Sequence, residues 1–127
     1  MLILIIDDSE IFRSRLVEIL SESPNSKKLL EVNNIFEAKE IMQSLLPDLI
    51  ITDIRMPGGS GIDLIKELRK KNINITTMVI TNYPEEHYKT EAIKAGADYF
   101  FDKSNDMEKM LEAIDILYSN KNKYRSV

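Results

Sequence analysis

Apolar residues along the chain gather into five short runs: LILII at 2–6, LLEV at 29–32, LIIT at 49–52, TMVI at 77–80 and YFF at 99–101. Each has the length of a strand, and runs this uniformly apolar suit strands covered on both faces. Between them the period changes. Ile35, Ala38, Ile41, Met42 and Leu45 follow helical spacing, as do Ile62, Leu64, Ile65 and Leu68, and again Met107, Met110, Leu111, Ile114 and Leu117. Signals of helix ends agree with these segments. Asn34 stands three residues before Glu37 in capping-box spacing, Pro84 suits a first helical turn, and Gly96 suits a helix end.

Strand and helix alternating five times predict a parallel sheet between two layers of helices. Right-handed crossovers then favour an α/β, doubly wound, five-stranded sheet of order 2-1-3-4-5, with helices one and five on one face and two, three and four on the other. Residues 1–119 are expected to form this domain. The closing SNKNKYRSV lacks a periodic apolar face, and 120–127 are expected to be a frayed tail.

The 127-residue length allows one domain that removes about two-thirds of its unfolded surface from water. Without cysteine the chain has no disulfide framework and no thiolate chemistry, in keeping with a reducing cytoplasm. Its 17 Lys and Arg against 21 Asp and Glu, a formal charge of -4, are scattered rather than gathered in a basic tract. Nucleic acid binding by this domain is therefore not expected. MLILII is too short for a signal peptide core or a membrane span, so the expected setting is soluble and cytoplasmic.

The polar residues that end the strands carry the chemistry. The stretch DIRMP at 53–57 puts a carboxylate directly after the apolar run LIIT. An ionised carboxylate there must be exposed, paired or bound to a cation, because isolated burial costs several kcal/mol even after relaxation. Strand one stops at Asp7-Asp8, strand three at Asp53, strand four at Thr81, and strand five leads through Asp102 to Lys103. In a sheet of this kind ligands bind beyond the carboxyl ends of the strands. With strands one and three adjacent, Asp7, Asp8 and Asp53 are expected to gather, and oxygen-only ligation of this kind suits Mg²⁺. Singly, each residue has an ordinary role open to it: an Asp as turn former, Thr81 as a strand residue, Lys103 as a solvated charge. Their joint placement on one edge carries the functional reading.

The pattern Asp7-Asp8-Ser9, Asp53 followed by Met56-Pro57 and Gly61, Thr81 after TMVI, and AGADYFFDK ending at Lys103 resembles the receiver domain of two-component response regulators, which has a flavodoxin-like fold. The resemblance spans nearly the whole chain. It implies that Asp53 is the phosphoacceptor, modified by a sensor histidine kinase or phosphotransferase. It implies that Asp8 and Asp53 ligate Mg²⁺ directly, that Asp7 acts through water, and that the Arg55 backbone carbonyl is a further ligand. Thr81 and Lys103 are then expected to bind phosphoryl oxygens, with Thr81 and Phe100 as the switch pair. An output protein is expected on the surface of helix four, strand five and helix five. Such a domain is regulatory, catalysing only its own phosphorylation and dephosphorylation.

Two positions depart from the usual receiver pattern. Ser104 stands where many receivers carry proline, so the Lys103–Ser104 bond is expected to be trans. Phe100 brings no hydroxyl to the switch position, where tyrosine is common. Gly58-Gly59-Ser60-Gly61 lacks the spacing of a phosphate loop and is expected to be a flexible turn, with a helix start at Ser60 or Gly61. The single histidine, His87, is expected on the surface. Two other readings compete: a Mg²⁺-dependent phosphohydrolase with an aspartyl nucleophile, disfavoured because Arg55 stands where a second carboxylate is wanted, and the N-terminal receiver of a DNA-binding transcription factor. The chain's end soon after the fifth helix suits a stand-alone regulator.

Overall fold

The computed structural model describes residues 1–22 and 27–125. Five strands, β1 (Leu2–Ile6), β2 (Lys28–Val32), β3 (Leu49–Thr52), β4 (Thr76–Thr81) and β5 (Tyr99–Asp102), alternate with α1 (Glu10–Ser21), α2 (Ile35–Met42), α3 (Gly61–Lys70), α4 (Glu86–Ala95) and α5 (Met107–Arg125). The strands form one parallel sheet in the order β2-β1-β3-β4-β5, as the pattern predicts. Register places Ile3 opposite Leu49 and Ile6 opposite Thr52, so β1 and β3 end side by side.

Alternate strand residues supply two cores. Ile3, Ile5, Ile51, Met78 and Phe101 meet Leu16, Leu20, Met110 and Ile114 of α1 and α5. On the other face Leu4, Ile6 and Ile50 meet Ile35, Ala38, Leu64 and Leu68 of α2 and α3, while Val79 meets Ile62, Ile65, Ala92 and Ala95 of α3 and α4. Burial of a large aliphatic side chain contributes about 1.5–3 kcal/mol, so these two layers hold the sheet.

The caps follow the local chemistry. Ser9, Asn34 and Ser60 accept the amides of Phe12, Glu37 and Ile62, and Gly96 closes α4 at φ 107°. Several boundaries differ from expectation. Pro84 lies before the cap residue Glu85, because the Thr81 hydroxyl accepts the Tyr83 amide at 3.0 Å and turns the chain there. Leu45 lies past the end of α2 and is half exposed. α5 continues to Arg125, so the expected tail is helical backbone that far; nothing in SNKNKYR breaks a helix, and residues 126–127 lie outside the described part.

An unexpected antiparallel ribbon pairs Arg55–Met56 with Gly59–Ser60. Pro57 and Gly58, at φ 86°, form its corner. At the opposite, amino-terminal edge of the sheet, Arg69 of α3 donates to the carbonyls of Ile73 and Gly96, to Thr77 Oγ1 and to Asp98 Oδ2, tying α3, α4 and β4 together.

Candidate functional site

The carboxyl edge of the sheet presents Asp7 after β1, Asp53 after β3, Thr81 at the end of β4 and Lys103 after β5. Asp7 is 2% exposed and Asp53 7%. The ammonium of Lys103 lies 2.7 Å from Asp7 Oδ2 and 3.0 Å from Asp53 Oδ2, so residues from three strands meet at one cation. The remaining oxygens are held by backbone: the Ser9 amide donates to Asp7 Oδ1 at 2.9 Å, and the Ile54 amide to Asp53 Oδ1 at 2.6 Å. Arg13 donates from α1 to the Asp7 carbonyl. These contacts leave both carboxylates little rotational freedom.

One ammonium is shared by two buried carboxylates. Burial pushes the Asp7 carboxyl above its usual range, and the hydrogen bonds from Lys103 and the Ser9 amide only partly offset this. For Lys103, burial opposes the charged form, but the hydrogen bonds and charges of Asp7 and Asp53 together outweigh it and raise its pKa.

The expected gathering of three carboxylates is met in part. Asp8 is exposed while Asp7 is buried, since neighbouring residues leaving a strand face opposite ways. Among the described residues no group of three or more acidic, histidine or cysteine side chains is arranged to hold a metal ion. By chemistry, however, the set fits a hard divalent cation: its side-chain donors, the carboxylates of Asp7 and Asp53 with Asp8 next in the chain, are all oxygens.

Thr81 is fully buried, and its carbonyl accepts the Lys103 amide at 2.9 Å. Phe100 is half-buried with Tyr88 and Ala97 on the α4 side of the sheet. Gly61 must be glycine for a steric reason: a Cβ there would collide with the Asp53 carbonyl oxygen and sit 2.6 Å from Thr52 Oγ1. The Lys103–Ser104 bond is trans, as expected, and the Ser104 amide that proline would lack donates to Asp102 Oδ1 at 2.9 Å. His87 is exposed, beside Tyr88.

Two arrangements were not expected from the sequence. The Lys103 ammonium lies over the ring of Phe12, 4.2 Å from its centroid. Arg55 lies near the rings of both Tyr83 and Tyr88. An aromatic one turn into the helix that follows the acid pair, and two tyrosines flanking Pro84, were the available signals.

Residues 3–115 match the response regulator receiver domain, and the chain belongs to that family. It is 34% identical over 116 residues to the chemotaxis protein CheY of Halobacterium salinarum, covering 91% of this chain and 95% of that one. It is 32% identical over 112 residues to the nitrate/nitrite response regulator protein NarL of Escherichia coli, covering 88% of this chain and 52% of NarL. The chain spans about half the length of the first curated relatives it matches. Its fold superposes on the Francisella response regulator 1452 receiver domain with a TM-score of 0.84 at 26% identity, over 94% of this chain and 98% of the other. Receivers are regulatory domains, and phosphorylation and Mg²⁺ binding are general among them. Among the described residues no helix is long and apolar enough to cross a membrane.

Proposed function

We propose that this receiver accepts a phosphoryl group on Asp53 from a histidine kinase or phosphotransferase, and signals by a change of conformation. The observation that carries the reading is how the Asp53 carboxylate is held. It is buried at the end of β3, with one oxygen on the Ile54 amide and the other on the Lys103 ammonium. A carboxylate so oriented is a positioned nucleophile.

In the transfer an Asp53 oxygen forms a bond to phosphorus while the donor's phosphorus–nitrogen bond breaks, its electron pair returning to the imidazole. The product is an acyl phosphate. Lys103 is within reach of the oxygens that arrive, and charge-assisted hydrogen bonds of this kind are the strong ones. Asp8 and Asp53 would hold Mg²⁺ directly, with Asp7 through water and Arg55 through its backbone carbonyl. When bound, the ion supplies neutralisation of the phosphoryl charge.

The Thr81 hydroxyl would then turn from the Tyr83 amide toward a phosphoryl oxygen. Losing that 3.0 Å bond frees the start of the loop into α4, whose Tyr88 packs against the same core cluster as Phe100. An output protein would read the change on the surface of α4, β5 and α5. The domain would catalyse only its own phosphorylation and dephosphorylation.

Intact mass after incubation with acetyl phosphate tests the reading. One added phosphoryl group is expected with Mg²⁺, and none without Mg²⁺ or in Asp53→Asn. Labelling of the Asn variant equal to that of wild type would refute the assignment.

A further inference from the structure

Lys103 makes three close contacts: the carboxylates of Asp7 and Asp53, and the face of Phe12 at 4.2 Å from the ring centroid. Phe12 is in the first turn of α1, where its amide donates to the Ser9 hydroxyl at 3.2 Å. Its ring is partly buried against the core between the sheet, α1 and α5. The helix start and the core thus both fix the ring. The lysine side chain is only 10% exposed, so its ammonium is largely desolvated, the setting in which attraction to a ring face is strongest.

We propose that Phe12 is a positioning residue for phosphoryl transfer, its ring face holding the Lys103 ammonium beside the Asp53 carboxylate. The inference rests on Asp53 being the acceptor. The two carboxylate contacts would change in the course of that reaction: Asp53 would become an acyl phosphate, and Asp7 would also serve a metal-bound water. The ring contact takes no part in either event. A four-carbon side chain released from one carboxylate has many other rotamers, most of them toward water. The ring keeps it in the pocket while its anionic partners are exchanged.

A packing role and an electrostatic role separate under fluorination, which drains the ring face of negative potential at nearly constant shape. The 127-residue chain would carry 4-fluoro-, 3,5-difluoro- or 3,4,5-trifluorophenylalanine at position 12, beside Phe12→Leu and Phe12→Trp. The phosphorylation rate constant with acetyl phosphate and Mg²⁺ is read by intact mass, and the melting temperature is measured in parallel. The rate is expected to fall stepwise with fluorine number at unchanged melting temperature. It should drop about tenfold in Phe12→Leu and be kept in Phe12→Trp. In wild type the Lys103 ε-methylene protons should show a ring-current shift that Phe12→Leu abolishes. A phosphorylated wild type whose rate is indifferent to fluorine, or a loss that only tracks melting temperature, overturns the inference alone. A wild type that takes up no phosphate overturns the acceptor assignment and this inference with it.

Discussion

Arg55 lies over the ring of Tyr83, with its guanidinium carbon 5.3 Å from the ring centroid. The same group is 5.2 Å from the centroid of Tyr88, so the ribbon after β3 is joined to both the loop after β4 and the first turn of α4. Exposed cation–π contacts contribute about 0.5–1 kcal/mol each. Arg55→Ala is therefore expected to lower stability by about 1 kcal/mol in urea unfolding and to speed amide exchange from Tyr83 to Tyr88. Arg55→Lys, which keeps charge but loses the stacking plane, should fall between the two.

Lys103 neutralises two buried carboxylates at once, and its removal leaves both without a cation. Breaking a buried ion pair by deleting one partner costs about 3–5 kcal/mol. Lys103→Met should lose stability of that order at neutral pH. Adding Asp7→Asn should restore part of it by removing one of the uncompensated charges, so the double variant is expected to be more stable than Lys103→Met alone.

The pH dependence follows from the two raised values. For Lys103 the folded pKa lies above 10.5, so its contribution is fully present below 10.5 and is lost as pH rises through the folded value. The stability advantage of wild type over Lys103→Met should narrow on that alkaline side. For Asp7 the folded pKa lies above 3.8, so the folded chain keeps a proton that the unfolded chain has released, and stability falls as pH rises through that window. Wild type should lose ground to Asp7→Asn as pH climbs from 3.8, as melting temperatures across acid pH would show.

Gly58, at the corner of the ribbon, and Gly61, the first residue of α3, should respond differently to alanine. Gly58 has φ 86° with nothing within 4 Å of an added methyl, so only the backbone conformation resists, at about 1–2 kcal/mol. At Gly61 the added Cβ meets the Asp53 carbonyl, and overpacking of that kind costs about 1–3 kcal/mol or more. Gly61→Ala should also slow phosphorylation, because the backbone that yields is that of the proposed acceptor Asp53, whereas Gly58→Ala should leave the rate nearly unchanged.

Strand order and the assignment of helices to faces were legible because strands covered on both sides leave continuous apolar runs, and handedness then restricts their connections. The edge carrying Asp7, Asp53, Thr81 and Lys103 was legible for the same reason, since it is wherever those runs stop. Other features leave no such trace. The separation of buried Asp7 from exposed Asp8 depends on which way two adjacent side chains leave β1. The ribbon at Arg55–Met56 and Gly59–Ser60 is too short to show a period. Phe12 looks like any residue of a core-facing helical stripe until Lys103, far along the chain, is placed above it.

The four-way grip of Arg69 reaches α4 only through the Gly96 carbonyl, at the end remote from the acid pocket. At its other end the helix starts at Glu86 with no side-chain cap from Glu85, next to the loop that Thr81 and Arg55 restrain. On the proposed reading α4 would act as a lever whose tail is held by Arg69. A displacement that begins at Thr81 would enter at the uncapped end, where Tyr83 and Tyr88 stand, and would die away toward the fulcrum. The part of the surface expected to travel farthest is the part that carries the tyrosines.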